Sequence, residues 1–294
     1  MRGSHPDRAY QSDPHLRFCD RVARKVWKRL PKWLLTTRAF RLLGHRVHAR
    51  VSAYQSRDQT FWTCFMRNRP LLEVIAAIIR DKRMGSPLTI ASIGCSLGAE
   101  LYSLLYLVRL GCDELCVKAT GVDISSEIID QAKSARFSLD AEELSILGAR
   151  ELADMFVKKN GWLEVRDWIR VGIRWITTDA RDPEFVEIVG RHDIVLADNF
   201  LGPMSNTEAE SCLGNIINIT KPSGYLVIDG IDLDLRAQFA SRHGLKPVTT
   251  RIDEIHQADV TKQDWPWLRW ALEPIDRERS DWQYRYSAVF QVRQ

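Results

Sequence analysis

Pro87–Gly111, PLTIASIGCSLGAELYSLLYLVRLG, decides how the rest of the chain is read. Pro87–Gly94 is a short β-rich apolar run that ends in glycine, the pattern of a buried strand. Ser96–Gly111 follows as a long helix with apolar periodicity, stopped by Gly111. A strand, a glycine turn and a helix in that order open a parallel β–α unit. The small residues of the turn let the backbone approach a ligand, and Glu100 stands in the first turn of the helix.

The alternation continues downstream. Val117–Ile124 is a second strand, and Ser125–Phe137 a helix with serine at its N-cap and a glutamate close behind. Ile173–Ala180, His192–Asn199 and Gly224–Gly230 are three further strands, with a helix over Thr207–Ile219 between the last two. Leu71–Lys82 is a helix with one apolar face, and Tyr284–Val292 alternates polar and apolar residues as an added strand would. The expected architecture is α/β, a doubly wound parallel sheet.

Ahead of it, from Pro14 to about Arg57, the pattern is helical. Phe18, Val22, Val26 and Leu30 recur every four residues among basic side chains, Pro31 breaks the helix, and a second apolar stripe ends at Gly44, a plausible C-cap. The expected organisation is a basic helical extension over residues 1–57 and a catalytic domain over 58–294 with a tryptophan-rich C-terminal elaboration. Met1–His5 resemble an expression-tag leader and carry no functional weight here.

The totals narrow the class. At 294 residues, 45% hydrophobic and 27% charged, the chain has the composition of a soluble globular protein. No apolar run approaches the ~20 residues that span a bilayer. The start lacks a secretory apolar core, so a cytoplasmic location is expected. Six scattered cysteines show no zinc-site spacing, so no metal is expected. Through Thr60 there are 14 Lys/Arg against 4 Asp/Glu, a net +10, although the whole chain carries only +4. The extension therefore fits three settings: a helical lid with a solvated basic face, peripheral contact of residues 14–57 with an anionic membrane, or binding to an acidic macromolecule.

In an open parallel sheet, ligands bind beyond the carboxyl ends of the strands. Gly94, Asp123, Asp179 and the pair Asp198–Asn199 end four of the five core strands. An acidic residue at the place of Asp123, 29 residues after Gly94, can accept both hydroxyls of a ribose. The absence of GxGxxG favours S-adenosylmethionine over a nicotinamide cofactor. Asp179 is then expected at the adenine amino group. A guanidinium such as Arg67 can fork onto the cofactor carboxylate. Each residue also has a plainer reading: Asp123 as a helix cap, Asp179 as a turn cap, Arg67 as a surface arginine.

Three elements together, TCFMRN (Thr63–Asn68), GCSLGAELYS (Gly94–Ser103) and GVDISSEIIDQAK (Gly121–Lys133), resemble the CheR family of chemotaxis-receptor methyltransferases over roughly Asp58–Gly230. The resemblance implies a class I, Rossmann-like methyltransferase fold that uses S-adenosylmethionine and leaves S-adenosylhomocysteine. It implies cofactor contacts from Thr63, Arg67, Gly94, Ser96, Gly98, Glu100, Asp123, Ile124, Asp179, Ala180 and Asn199. Thr63 and Arg67 would fold over the cofactor, Glu100 would fall near its amino acid or sulfonium side, and Asp123 on its ribose.

Two departures weigh on the acceptor. Ala197-Asp198-Asn199 stands where the family has C-R-N, and Pro203 stands where a tyrosine near the acceptor is expected. A small molecule, lipid or glycan acceptor is therefore favoured over a chemoreceptor glutamate. Asp198 and Asn199 are the candidate catalytic residues, with His256 or Asp259 weaker candidates for a base. Trp265, Trp267, Trp270 and Trp282 either line an acceptor pocket or anchor a loop. The alternatives are a cofactor-binding scaffold recruited through its basic helices and a protein carboxyl methyltransferase. Nucleic acid is not favoured, since no N-P-P-[YFW]-type motif ends the fourth strand.

Overall fold

A computed structural model describes residues 14–54, 61–81, 87–110, 117–258, 266–267 and 273–293. Three helices lead: α1 (Pro14–Arg29), α2 (Lys32–Leu35) and α3 (Arg38–Tyr54). The alternating part begins with α4 (Arg69–Asp81), β1 (Leu88–Ile93), α5 (Ala99–Arg109), β2 (Val117–Asp123) and α6 (Ser126–Ser134). A small antiparallel insert follows, made of β3 (Arg136–Ser138), α7 (Ala149–Met155), β4 (Phe156–Lys159) and β5 (Trp162–Val165). The chain then runs through α8 (Asp167–Arg170), β6 (Ile173–Thr177), α9 (Phe185–Val189), β7 (His192–Asp198), α10 (Asn206–Asn218) and β8 (Thr220–Asp229). It ends with α11 (Leu233–Arg242), β9 (Lys246–Val248), α12 (Ile252–Ala258), α13 (Trp282–Tyr286) and β10 (Val289–Gln291).

The main sheet has seven strands in the order β6-β2-β1-β7-β8-β10-β9. Its first five are parallel neighbours, and β10 is antiparallel to both β8 and β9. The chain winds outward from β1 to β2 and β6, then returns to the other side of β1 as β7 and β8. The order therefore reverses between β1 and β7, where such sheets open a crevice. Helices bury apolar faces on both sides. Leu71, Ile75 and Ile79 of α4 and Leu101, Leu104 and Leu105 of α5 fill one layer. Leu213 and Ile216 of α10 and Phe239 of α11 fill the other.

Local chemistry sets the element ends. The Ser125 hydroxyl accepts from Ile128 N and caps α6 as expected. Ser205 and Glu208 form a reciprocal capping box at α10. The small sheet, in the order β3-β5-β4, turns at Asn160 and Gly161, whose φ values of 50° and 81° are those of a tight hairpin turn.

Two expectations are corrected. Gly44 does not end a helix; it lies buried inside α3, which continues so that Val47 packs against the Trp27–Trp267 cluster. Tertiary packing outweighs the helix-breaking tendency of glycine there. Tyr284–Val292 is not one strand. Its first part belongs to α13, which turns Arg285 and Tyr286 into the interior, and only Val289–Gln291 joins the sheet. The proposed boundary at residues 57 and 58 falls in 55–60, outside the described residues, as do Gly111, Cys112, Cys116, Asp259, Trp265 and Trp270.

Candidate functional site

The crevice forms where β1 gives way to its glycine turn. Gly94, Ser96 and Gly98 all take left-handed φ values, 66°, 50° and 79°. Such a backbone favours glycine, and at Gly94 space also demands it: a Cβ there would lie 2.6 Å from the Phe200 side chain. The turn is tied to the neighbouring strand. Cys95 N donates to Val122 O at 2.9 Å, and Ser96 N to Asp123 Oδ2 at 2.9 Å. Ser125 N donates to the other carboxylate oxygen at 3.2 Å. Burial pushes the Asp123 carboxyl up, while these backbone N–H groups pull against that shift. Asp123 therefore does not cap α6, which Ser125 does; it closes a turn onto Ser125 N and lines the crevice.

Arg67 arrives from the run before α4. That run is pinned by Phe65, which packs edge-on to Phe137 and Phe156 at 5.0 Å. Met66 N also donates to Ser103 Oγ at 2.9 Å. Asn68 fastens the other side, accepting from Leu71 N and donating to Ile255 O. The buried guanidinium lies 5.0 Å over the Trp62 ring and donates to Asn199 Oδ1 at 2.9 Å. The surface reading of Arg67 is thereby set aside.

Asn199 closes the far wall. It holds a φ of 60°, a conformation asparagine tolerates better than most residues. Gly230 makes room for it, since a Cβ at Gly230 would collide with the Asn199 side chain. Asn199 Nδ2 donates to Asp198 Oδ1. Asp198 in turn hydrogen-bonds Glu100, whose carboxyl is held well above the usual range by burial and by the Asp198 charge. Arg67, Asn199, Asp198 and Glu100 thus form one continuous hydrogen-bonded wall of the crevice.

The crevice is narrow, a cavity of about 50 Å³. Thr63, Arg67, Gly94, Ser96, Glu100, Asp123, Asp198, Asn199 and Pro203 line it, all anticipated or discussed from sequence. Phe61, Trp62, Ser92, Cys95 and Phe200 line it as well and were not anticipated; adjacency to the Thr63 and Asn199 motifs was the available signal. Gly98, Ile124, Asp179 and Ala180 stand outside this lining. Ile124 is 41% exposed, Ala180 is buried beside Phe185 and Val195, and Asp179 is gripped by Arg181 at 2.6 Å, which pulls its carboxyl below the usual range. His256 is buried elsewhere, its Nε2 donating to Glu273 O at 2.7 Å and its ring edge-on to Tyr286. Trp267 anchors a core with Trp27, Leu233 and Ile252. Among the described residues no group of His, Cys, Asp or Glu could hold a metal.

A single cation set against carboxylates suits a zwitterionic amino acid tail. Asp123, which accepts backbone N–H groups on both oxygens, faces the crevice as an acceptor for a diol, and the glycine turn gives a close backbone approach. These residues fit S-adenosylmethionine, and the sheet order is that of a class I, Rossmann-like methyltransferase.

Residues 62–233 match the family described as CheR methyltransferase, SAM binding domain, and the chain belongs to that family. The matched family is an S-adenosylmethionine-binding methyltransferase domain, and the chain spans just under two thirds of the length of the curated relative it matches. A relative from Vibrio cholerae serotype O1, named chemotaxis protein methyltransferase 2, is 23% identical over 193 residues, 64% of this chain and 66% of that protein. Among solved structures, CalS10, an amino pentose methyltransferase from Micromonospora echinaspora, matches 61% of this chain and 54% of its own at 14% identity and TM-score 0.33. The plantazolicin methyltransferase BpumL matches 77% of this chain and 66% of its own at 14% identity and TM-score 0.35. The family match and the sheet order, rather than these scores, define the class.

Proposed function

We propose that the chain methylates a small-molecule, lipid or glycan acceptor at oxygen or nitrogen, and that the acceptor enters at Asp198, Phe200 and Pro203. S-adenosylmethionine, when bound, supplies the methyl group from its sulfonium. Arg67 and Thr63 would hold its amino acid tail together with Glu100, and the Gly94–Ser96–Gly98 turn its backbone-facing side. Asp123 would take the ribose, and Ile124, Asp179 and Ala180 the adenine. Asp179 would share its carboxylate between the adenine amino group and Arg181.

The observation that carries the reading of the acceptor is the hydrogen-bonded wall Arg67–Asn199–Asp198–Glu100. Asp198 presents a carboxylate at the mouth of the crevice. A carboxylate there orients an acceptor N–H or O–H and takes up its proton as the new bond to carbon forms and the carbon–sulfur bond breaks. Asn199 holds that carboxylate in place. A carboxylate acceptor would meet like charge at the same spot, an arrangement that costs energy.

A second reading, methylation of a protein carboxyl group, is supported by the family and by the name of the Vibrio cholerae relative. One experiment separates the two. The protein is incubated with methyl-labelled S-adenosylmethionine and acceptors bearing amine, hydroxyl or carboxylate groups, and the products are treated with alkali. Alkali-stable label supports O- or N-methylation. Volatile methanol released by alkali supports the carboxyl ester. Tight cofactor binding without label on any acceptor would contradict both and leave a cofactor-binding scaffold. On an accepted substrate, Asp198→Asn lowers kcat about a hundredfold, in the range of lost proton-transfer catalysis, and changes cofactor affinity little.

A further inference from the structure

Residues 21–50 hold ten Lys/Arg and not one Asp/Glu. The helices that carry them dock on the body along one edge. Trp27, Leu30, Leu35, Phe40 and Val47 pack with Leu233, Ile252, Trp267 and Tyr286. Arg41 pairs with Asp276 at 2.5 Å, and His48 Nδ1 meets Pro266 O at 3.0 Å. That docking leaves another face of α1 uncovered. Val22, Lys25, Val26 and Arg29 stand at i, i+3, i+4 and i+7, one stripe of a helix, with Val22 and Val26 45% and 55% exposed. Trp33 of α2, four residues beyond Arg29, is 70% exposed.

We propose that this face is a peripheral docking surface for a bilayer rich in anionic phospholipid. Charge alone would suit any polyanion; the apolar side chains decide between them. A polyphosphate or an acidic peptide needs the cations but gains little from two valines and an indole held in water. At a headgroup boundary each has a place: the valines reach toward the acyl chains, the indole sits at headgroup level, and Lys25 and Arg29 extend their stems so that their charges stay among phosphates. The helix lies flat, since among the described residues no helix is long and apolar enough to cross a membrane. Leu233, beneath the docked helices, follows the end of β8 by four residues, and Asp229 at that end is in register with Asp198. The docking face and the crevice therefore belong to the same end of the molecule. The inference does not depend on which acceptor is methylated.

The test is co-sedimentation of the full chain with vesicles of phosphatidylcholine alone or with about 30% phosphatidylserine. The expected result is binding to the anionic vesicles only, weakened by added salt. Lys25→Glu with Arg29→Glu should reduce partitioning at least thirtyfold, about fivefold for each cation removed with reversal adding to it. Val26→Ser with Trp33→Ser should reduce it about tenfold, with unchanged circular dichroism and unchanged S-adenosylmethionine affinity in both double variants. Equal pelleting with both vesicle types, or no loss on charge reversal, would overturn the proposal. So would binding that responds to charge but not to Val26 and Trp33, which would assign the face to an acidic macromolecule instead.

Discussion

Two clusters of ionisable side chains lie on either side of Asp229, and they are built on opposite terms. Behind β8, Arg236 donates to Asp229 Oδ1 and to the carbonyls of Ile228 and Arg285. Arg285 pairs with Glu273 and, at 2.5 Å, with Asp234, while Tyr286 donates to Glu273 Oε1 at 2.8 Å. Each cation there has a carboxylate partner, and Arg236, Arg285 and Glu273 are almost fully buried while Asp234 is 41% exposed. In the crevice, Asp198 is set against Glu100, whose carboxyl is pushed up by burial first and by the neighbouring Asp198 charge second. Matched charges hold the C-terminal segment to the sheet. The like-charged pair stands at the crevice, beside Arg67 and Asn199.

The largest expected effect breaks the matched side. Arg285→Met strands Glu273 without its cation and should lower unfolding stability by about 3–5 kcal/mol in urea titration, with cofactor affinity in the folded fraction nearly unchanged. On the crevice side the effects invert. Arg67→Lys loses the planar fork and should weaken S-adenosylmethionine binding about tenfold by calorimetry, with little change in the urea midpoint. The smallest effect concerns Glu100, whose folded pKa is raised. The folded state then binds a proton that the unfolded state has released. Stability is full below the unfolded value and declines as pH rises from about 4.5 toward the raised folded pKa. Glu100→Gln should flatten that decline in thermal melts of the cofactor-free protein. A decline of the same steepness in the variant would assign it to another group.

How far this contrast was legible in sequence follows from how local each signal is. Gly94, Gly98 and Asp123 are fixed by strand ends and turn chemistry, which a window of a few residues contains, and the structure brings them to one sheet edge. The carboxyl pair is different: Glu100 and Asp198 meet only because β1 and β7 pair in parallel, and no local pattern announces that. Arg67 and Asn199 are 132 residues apart, and their contact came within reach only through the family resemblance. The tryptophans were open to two readings, and Trp267 resolves toward anchoring because α1 supplies Trp27 to pack against it at 5.6 Å. Asn160-Gly161 is a strong hairpin signal, but the strands flanking it are four residues each, too short for a strand period to show. The matched cluster was invisible for the opposite reason: Arg236 and Arg285 look like surface cations until the fold closes over them.

The account stands on the crevice between β1 and β7 as the cofactor site, and calorimetric titration of S-adenosylmethionine into the wild type and Asp123→Ala tests it most directly. Asp123 accepts backbone N–H groups from Ser96 and its neighbours and, as proposed, the ribose hydroxyls. The expected result is one site per chain in the wild type and an affinity lower by roughly tenfold to a hundredfold in the variant, the loss of about 1.5–3 kcal/mol that follows removal of a charged hydrogen-bond acceptor. Equal affinity in both proteins, or no binding to a folded wild type, would contradict it.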